Sequence, residues 1–220
     1  MRQIAHIETP FKDKFGVPRQ AGLVDYEACI VFEPKYRVAE AVRGLEEFEY
    51  IWLIWQFHLA EREKWSPTVR PPRLGGNKRV GVFATRSPFR PNPIGLSSVR
   101  LLRIDPGPVL VVSGADLVDG TPIYDIKPYV TYADCHPDAR SGFANEAPAA
   151  TLRVDDPLHL LDSLPADVRN SLVGVLSYDP RPHYQADPER IYTVEYDRYE
   201  VRFNVSDANA TIDSITVKKS

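Results

Sequence analysis

The sequence predicts an α+β protein that is mainly β: a small closed β-barrel with one or more helices over residues 1–149, followed by a small α/β unit over 150–220. Three observations carry this prediction. Strand-length runs rich in β-branched and aromatic residues recur through the first 130 residues, with no βαβ alternation that would build a doubly wound sheet. The "PG" at Pro106-Gly107 joins two of these runs as a hairpin. After about residue 135 the texture changes to "DARSGFANEAPAA", the small, polar, proline-marked composition of a linker or an ordered loop crossing between lobes.

Taken in order, "IAHIE" (4–8) and "ACIVFE" (28–33) have strand composition and length. "YRVAEAVRGLEEF" (36–48) sets Val38, Ala41, Val42, Leu45 and Phe48 at helical spacing, which predicts one amphipathic helix. "YIWLIWQFH" (50–58) is too short for a membrane span and fits a strand buried on both faces. Further strands are expected over 79–85, 95–105, 108–116 and about 122–129. In the second unit, helical stretches are expected near 156–163 and 165–177, the latter opening on Pro165 with Asp167 in its first turn. "TVEYDRYEVRFNV" and "TIDSITVKK" then alternate as a hairpin closed by "SDANA".

With 43% hydrophobic and 26% charged residues the chain reads as a soluble globular protein. No apolar run approaches the roughly 20 residues of a membrane helix, and "MRQIAHIETPFKDKFG" has no secretory signal, so a cytoplasmic location is expected. Cys29 and Cys135 read as reduced thiols. The adjacent pair Cys135-His136 is poorly spaced to chelate one ion, so no metal is expected. The net charge of −3 is uneven: residues 62–103 hold ten basic residues and one acid, +9, against −12 elsewhere. Cations grouped on one face can bind a polyanion whatever the net charge, with an affinity that falls with salt.

Four loops carry the candidate chemistry. In "TRSPFRPNP" (85–93), Pro88, Pro91 and Pro93 restrict the backbone, which lowers the ordering cost of binding. Arg86 and Arg90 are thereby set to meet a carboxylate or phosphate bidentately, with Asn92 beside them. In "ADLVDGTPIYDIKPY" (115–129), Asp119 or Asp116 is placed to accept from ribose hydroxyls or an amino group, and Asp125 and Tyr129 to handle a proton. Alternatively Asp119-Gly120 only makes a turn, and Asp125 and Lys127 face solvent. "GVPRQAG" (16–22) holds Arg19 between proline and glutamine, and "RPPRLGGNKR" (70–79) holds Arg73 and Lys78. "DPRPHY" (179–184) again sets an arginine, Arg181, between prolines, next to His183 and Tyr184. That combination suits stacking on an unpaired base near a phosphate, although a capped turn after the helix explains it equally. GxxxxGK[ST] and GxGxxG are both absent, which argues against a P-loop NTPase or a Rossmann enzyme.

Together the stretches "FKDKFGVPRQAG", "AVRGLEEFEYIWLIWQFH", "RPPRLGGNKRVGVFATRSPFRPNPIGLS", "DLVDGTPIYDIKPY", "DPRPHY" and "YEVRF" closely resemble the TrmO (YaeB/TsaA-like) family of tRNA methyltransferases. The resemblance covers most of the chain in order. It implies a β-barrel domain that binds S-adenosylmethionine (SAM), a C-terminal domain that helps grip tRNA, and a homodimer with the cofactor near the subunit interface. It also implies the reaction, N6-methylation of N6-threonylcarbamoyladenosine (t6A) at position 37 to m6t6A. The implied cofactor contacts are Arg19, Gln20, Ala21, His58, Leu59, Arg86, Leu96 and Asp116, Leu117, Val118 and Asp119. Family members often have His-Gln where this chain has His58-Leu59, so the contact there falls to the backbone. Arg73, Lys78, Arg90, Asn92, Lys127, Arg181, His183 and Tyr184 are then expected to face the tRNA, and Asp125 and Tyr129 remain the candidates for accepting the proton. Two other readings stay open: a non-enzymatic RNA-binding module, and a SAM-dependent methyltransferase for a small molecule.

Overall fold

A computed structural model describes residues 1–60, 64–181 and 187–218. The N-terminal unit is a closed, fully antiparallel six-stranded barrel. Its strands are β1 (Ala5–Glu8), β2 (Glu27–Phe32), β3 (Tyr50–Gln56), β6 (Ile94–Asp105), β7 (Val109–Ser113) and β8 (Pro122–Pro128), arranged in the order β1-β2-β7-β6-β3-β8. Closure leaves no sheet edge to protect. Side chains alternate, so Ile7, Ile30, Ile51, Leu53, Val99, Leu110 and Ile123 fill the interior. A two-stranded arm, β4 (Thr68–Val69) with β5 (Val80–Gly81), lies between β3 and β6.

Several expectations need correction. Residues 36–48 do not form a helix: 3₁₀ turns at Ala39–Val42 and Leu45–Glu47 are separated by Gly44 at φ +84°, a left-handed conformation that ends helical hydrogen bonding. The apolar spacing is real, since Val38, Ala41, Val42 and Leu45 still line one groove, but it serves two turns. β3 is buried on one face, not two, because Tyr50, Trp52, Ile54 and Gln56 lie on the barrel exterior. The run 79–85 contributes only two strand residues before a 3₁₀ turn over Val82–Ala84.

The C-terminal unit is a four-stranded sheet, β10 (Tyr192–Tyr196), β11 (Tyr199–Ser206), β12 (Asn209–Val217) and β9 (Arg153–Asp155), with β9 parallel to β12. The long run expected as one strand splits at Asp197, whose φ of +53° turns the chain. The turn at Asp207-Ala208 has positive φ at both residues, the primed geometry that suits a two-residue hairpin. A single turn α1 (Thr131–Asp134) precedes the crossing segment, and α2 (Ala166–Ser177) follows Pro165 as expected, while 156–163 yields only a 3₁₀ turn at Leu160–Ser163.

The two units share one continuous core. Phe11 from the barrel side packs edge-on against Tyr26 (5.0 Å) and Tyr196 (5.3 Å). Gly174 of α2 lies against Val24, where a Cβ would approach to 3.0 Å, and Ser171 Oγ donates to the Asp25 carbonyl (2.8 Å). The second unit is therefore fixed against the barrel.

Candidate active site at the barrel mouth

A cavity of about 830 Å³ opens at one end of the barrel, within the size range of small-molecule sites. Its floor is β3 against β6. Trp55 is paired across the ladder with Gly95, and a Cβ on Gly95 would sit 2.2 Å from the indole ring. Glycine is required there because the ring lies flat on the backbone. Trp55 also packs against Phe57 (4.2 Å between centroids), and its Nε1 donates to Ser97 Oγ (3.0 Å). Ser97, almost fully buried, donates in turn to Asp116 Oδ1 (2.5 Å).

One wall is the proline-stiffened segment. Arg86 reaches across to donate to Gln20 Oε1 (2.6 Å), Gln20 donates to the Arg19 carbonyl (2.6 Å), and Arg90 donates back to the Thr85 carbonyl (3.1 Å). Arg19 lines the cavity and also donates to the carbonyls of Asp179 and Arg181 (both 2.9 Å), tying the C-terminal unit to the mouth. Burial lowers the Arg19 pKa, partly offset by Asp179. The Asp179 carboxyl is held below its ordinary value although burial opposes this, because Arg181 forks onto it (2.8 and 2.9 Å).

Asp116 is the one acid among the residues described as lining the cavity, which include the cations Lys14, Arg19, Arg86 and Arg90. Burial pushes its carboxyl above the ordinary carboxylate range, against the opposing pull of Ser97, the Ala21 amide and Arg86. For a carboxyl raised in the folded state, the associated stability is present at low pH and lost as pH rises through its titration. Asp116→Asn is therefore expected to raise the melting temperature at neutral pH. The advantage should fade as the pH falls through the titration of Asp116. Thermal melts of both proteins across the acidic range check this, and an equal or lower melting temperature for the variant at neutral pH contradicts it.

Of the expected cofactor residues, Arg19, Gln20, His58, Leu59, Arg86, Leu96, Asp116 and Val118 line the cavity. Ala21 contributes through its backbone amide to Asp116. Leu117 is fully buried, and its carbonyl accepts from Thr9 Oγ1. Asp119 is turned away: its carboxylate accepts from the Thr9 amide and Lys12 (both 2.8 Å), which is the work of a structural turn. Of the residues expected to face tRNA, Arg90 and Asn92 line the cavity. Lys78 is exposed on the β4–β5 arm, and Arg73 donates to the Glu146 carbonyl (2.6 Å), anchoring the crossing segment. Arg181 is paired with Asp179; His183 and Tyr184 lie outside the described residues.

Asp125 and Tyr129 are not brought to this cavity. β8 carries them along the barrel wall, where Asp125 pairs with Lys127 (2.9 Å) and lines a separate groove, and Tyr129 packs against Trp52 (5.6 Å). The sequence reading missed Trp55, Gly95 and Ser97 as site residues, because their meeting depends on strand register. Among the described residues no cluster of three or more His, Cys, Asp or Glu forms a metal site, and no helix is long and apolar enough to cross a membrane.

A closed barrel with a cation-rich mouth, joined through one core to a small sheet domain, has its counterpart among tRNA methyltransferases: residues 6–135 match the tRNA-methyltransferase O N-terminal domain, and residues 153–218 match the TrmO C-terminal domain. The chain belongs to the TrmO family. It is 44% identical over 218 residues to the tRNA (adenine(37)-N6)-methyltransferase of Escherichia coli K12, covering 94% of this chain and 93% of that protein. It is 42% identical over 200 residues to a Pseudomonas aeruginosa protein described as a putative S-adenosylmethionine-dependent methyltransferase, covering 87% of this chain and 86% of that one. Among solved structures, TrmO from P. aeruginosa superposes with a TM-score of 0.79 at 33% identity, over 98% of this chain and 95% of that one.

Proposed function

We propose that this chain is a SAM-dependent tRNA methyltransferase acting on N6 of t6A at position 37, giving m6t6A. The observation that carries the reading is Asp116, a lone carboxylate set among four cations in a preformed cavity, in a chain alike from end to end to an adenine(37)-N6 methyltransferase. SAM fits this donor set, since it carries cationic groups for a carboxylate, a carboxylate for an arginine and an adenosine for an apolar floor. Bound there, SAM supplies an electrophilic methyl carbon. The chain's own residues do the positioning, which can account for much of the rate of a transfer needing in-line geometry. Trp55 and Phe57 give the apolar floor, Arg86 and Arg19 the anion-binding donors, and Asp116 the counter-charge.

In this reading Arg90, held by the prolines beside the cavity, receives the threonyl carboxylate and so distinguishes t6A from plain adenosine. The β4–β5 arm extends the cationic surface through Arg70, Lys78 and Arg79, with Trp65 and Phe83 exposed as a tilted aromatic pair (6.2 Å) suited to unpaired bases. Leu59, Phe83, Phe89 and Leu96 are exposed around the rim, which favours a second copy or the tRNA closing over the cavity. A homodimer in the cytoplasm is part of the proposal, and Asp125 and Tyr129 enter the chemistry only if a second copy presents them to this cavity. Calorimetric titration with SAM tests the reading: a saturable site is expected. Absence of heat at millimolar SAM, with RNA still bound, would instead favour a non-enzymatic RNA-binding module.

A further inference from the structure

We propose that Ser97 is a positioning residue for the methyl donor: by accepting from Trp55 and donating to Asp116, it holds the carboxylate as an anion directed at the cationic groups of SAM. The inference rests on the SAM-binding reading above and adds a residue and a direction of hydrogen bonding to it. An indole N–H can only donate, so at 3.0 Å from Trp55 Nε1 the Ser97 oxygen acts as acceptor. Its single proton is then committed to Asp116 Oδ1, 2.5 Å away. Gly95 locks the chain at its far end, because the Trp55 ring lies where a Cβ would be.

The other groups facing Asp116 work in the same direction. The Ala21 amide donates to it from the loop before β2, and Arg86 adds positive charge from the proline segment. Lys14, Arg19, His58 and Arg90 line the same cavity, and Tyr26, close enough to feel the Asp116 charge, has its hydroxyl committed to the Ala115 carbonyl (2.7 Å) and offers Asp116 no proton. Donors thus surround a carboxyl whose burial favours the neutral form. Ser97, itself only 2% exposed, has no contact with bulk water that would substitute for this pairing.

Two ligands and three proteins separate this from a merely structural role. SAM carries a sulfonium and an ammonium; 5′-methylthioadenosine shares its adenosine and lacks both charges. Because Asp116 must be ionised to receive a cation, SAM affinity should hold above its titration and fall below it. Removing a donor to the anion raises that titration, so the acid limb should move to higher pH. For Ser97→Ala we expect SAM to bind about tenfold more weakly at neutral pH, with its acid limb shifted upward and methylthioadenosine affinity unchanged. Ser97→Thr, which keeps the hydroxyl, should restore both. Methylthioadenosine binding also reports that the alanine variant is folded. An unshifted pH profile, or equal weakening of both ligands, overturns the proposal while leaving the SAM-binding reading intact. Failure of the unaltered protein to bind SAM at any pH removes both.

Discussion

Gly95→Ala is expected to be the most damaging of the glycine-to-alanine changes in this protein. Its Cβ would lie 2.2, 2.4 and 2.6 Å from three atoms of the Trp55 ring, and separations below 3.0 Å force something to move. The obstacle is a buried, rigid indole held by Phe57 on one side and Ser97 on another, so the ring must leave its position. Overpacking of this kind costs about 1–3 kcal/mol or more. For a chain of this size that corresponds to a melting temperature lower by about 3–10 °C. The displaced ring would enter the cavity and release Ser97, so SAM affinity should fall at least about tenfold. Pairing the change with Trp55→Leu should recover stability without recovering affinity, since room returns but the indole donor does not. A Gly95→Ala protein with ordinary melting and binding would show that Trp55 does not form the floor described.

The second large effect is expected at Arg19. One guanidinium nitrogen holds two carbonyls of the C-terminal unit, at Asp179 and Arg181, while the same side chain lines the cavity. Arg19→Ala removes charge-assisted bonds that, at a solvent-exposed site, contribute about 1 kcal/mol in total. Its larger consequence should be on turnover. Misplacing by about 1 Å the unit proposed to grip tRNA can cost as much as about a hundredfold in rate. The expected result is a fall of about ten- to a hundredfold in kcat/KM for tRNA, exceeding the loss in SAM affinity measured by titration. Equal losses would mean that Arg19 acts on the cofactor alone, and unchanged kinetics would remove it from the site. Asp179→Asn, which loosens the Arg181 fork without touching the cavity, should lower turnover in the same direction by a smaller factor.

The barrel was legible in the sequence where one face alone is buried. β6 alternates over most of its length, and the Pro106-Gly107 turn leads it into β7 as expected. Legibility failed where periodicity did not determine conformation. Residues 36–48 have helical spacing, yet Gly44 interrupts them, and the apolar positions face the same groove from two separate turns. The turn at Asp197 lacks the usual Asn-Gly or Asp-Gly signal and was hidden inside an alternating run. β9 is three residues long and pairs in parallel with a strand more than fifty residues away, a contact that no local pattern announces.

The site divided in the same way. The proline-stiffened arginines were recognisable because proline acts locally, and Arg86 and Arg90 do flank the cavity. Asp116 and Asp119, three residues apart, looked equivalent as acceptors. Tertiary contacts separate them: Asp116 meets Ser97 at the cavity, whereas Asp119 closes a turn with Thr9 and Lys12. The Trp55–Gly95 pair and the Trp55–Ser97–Asp116 chain depend on which residue of β3 faces which residue of β6. That register is set by closure of the whole barrel.

The proposed activity is tested most directly by mass spectrometry of nucleosides from tRNA incubated with the protein and isotopically methyl-labelled SAM, using matched tRNAs with and without the threonylcarbamoyl group. The account predicts labelled m6t6A from the first tRNA and little or no labelled adenosine from the second. Absence of label in both, or equal labelling of the two, would contradict it.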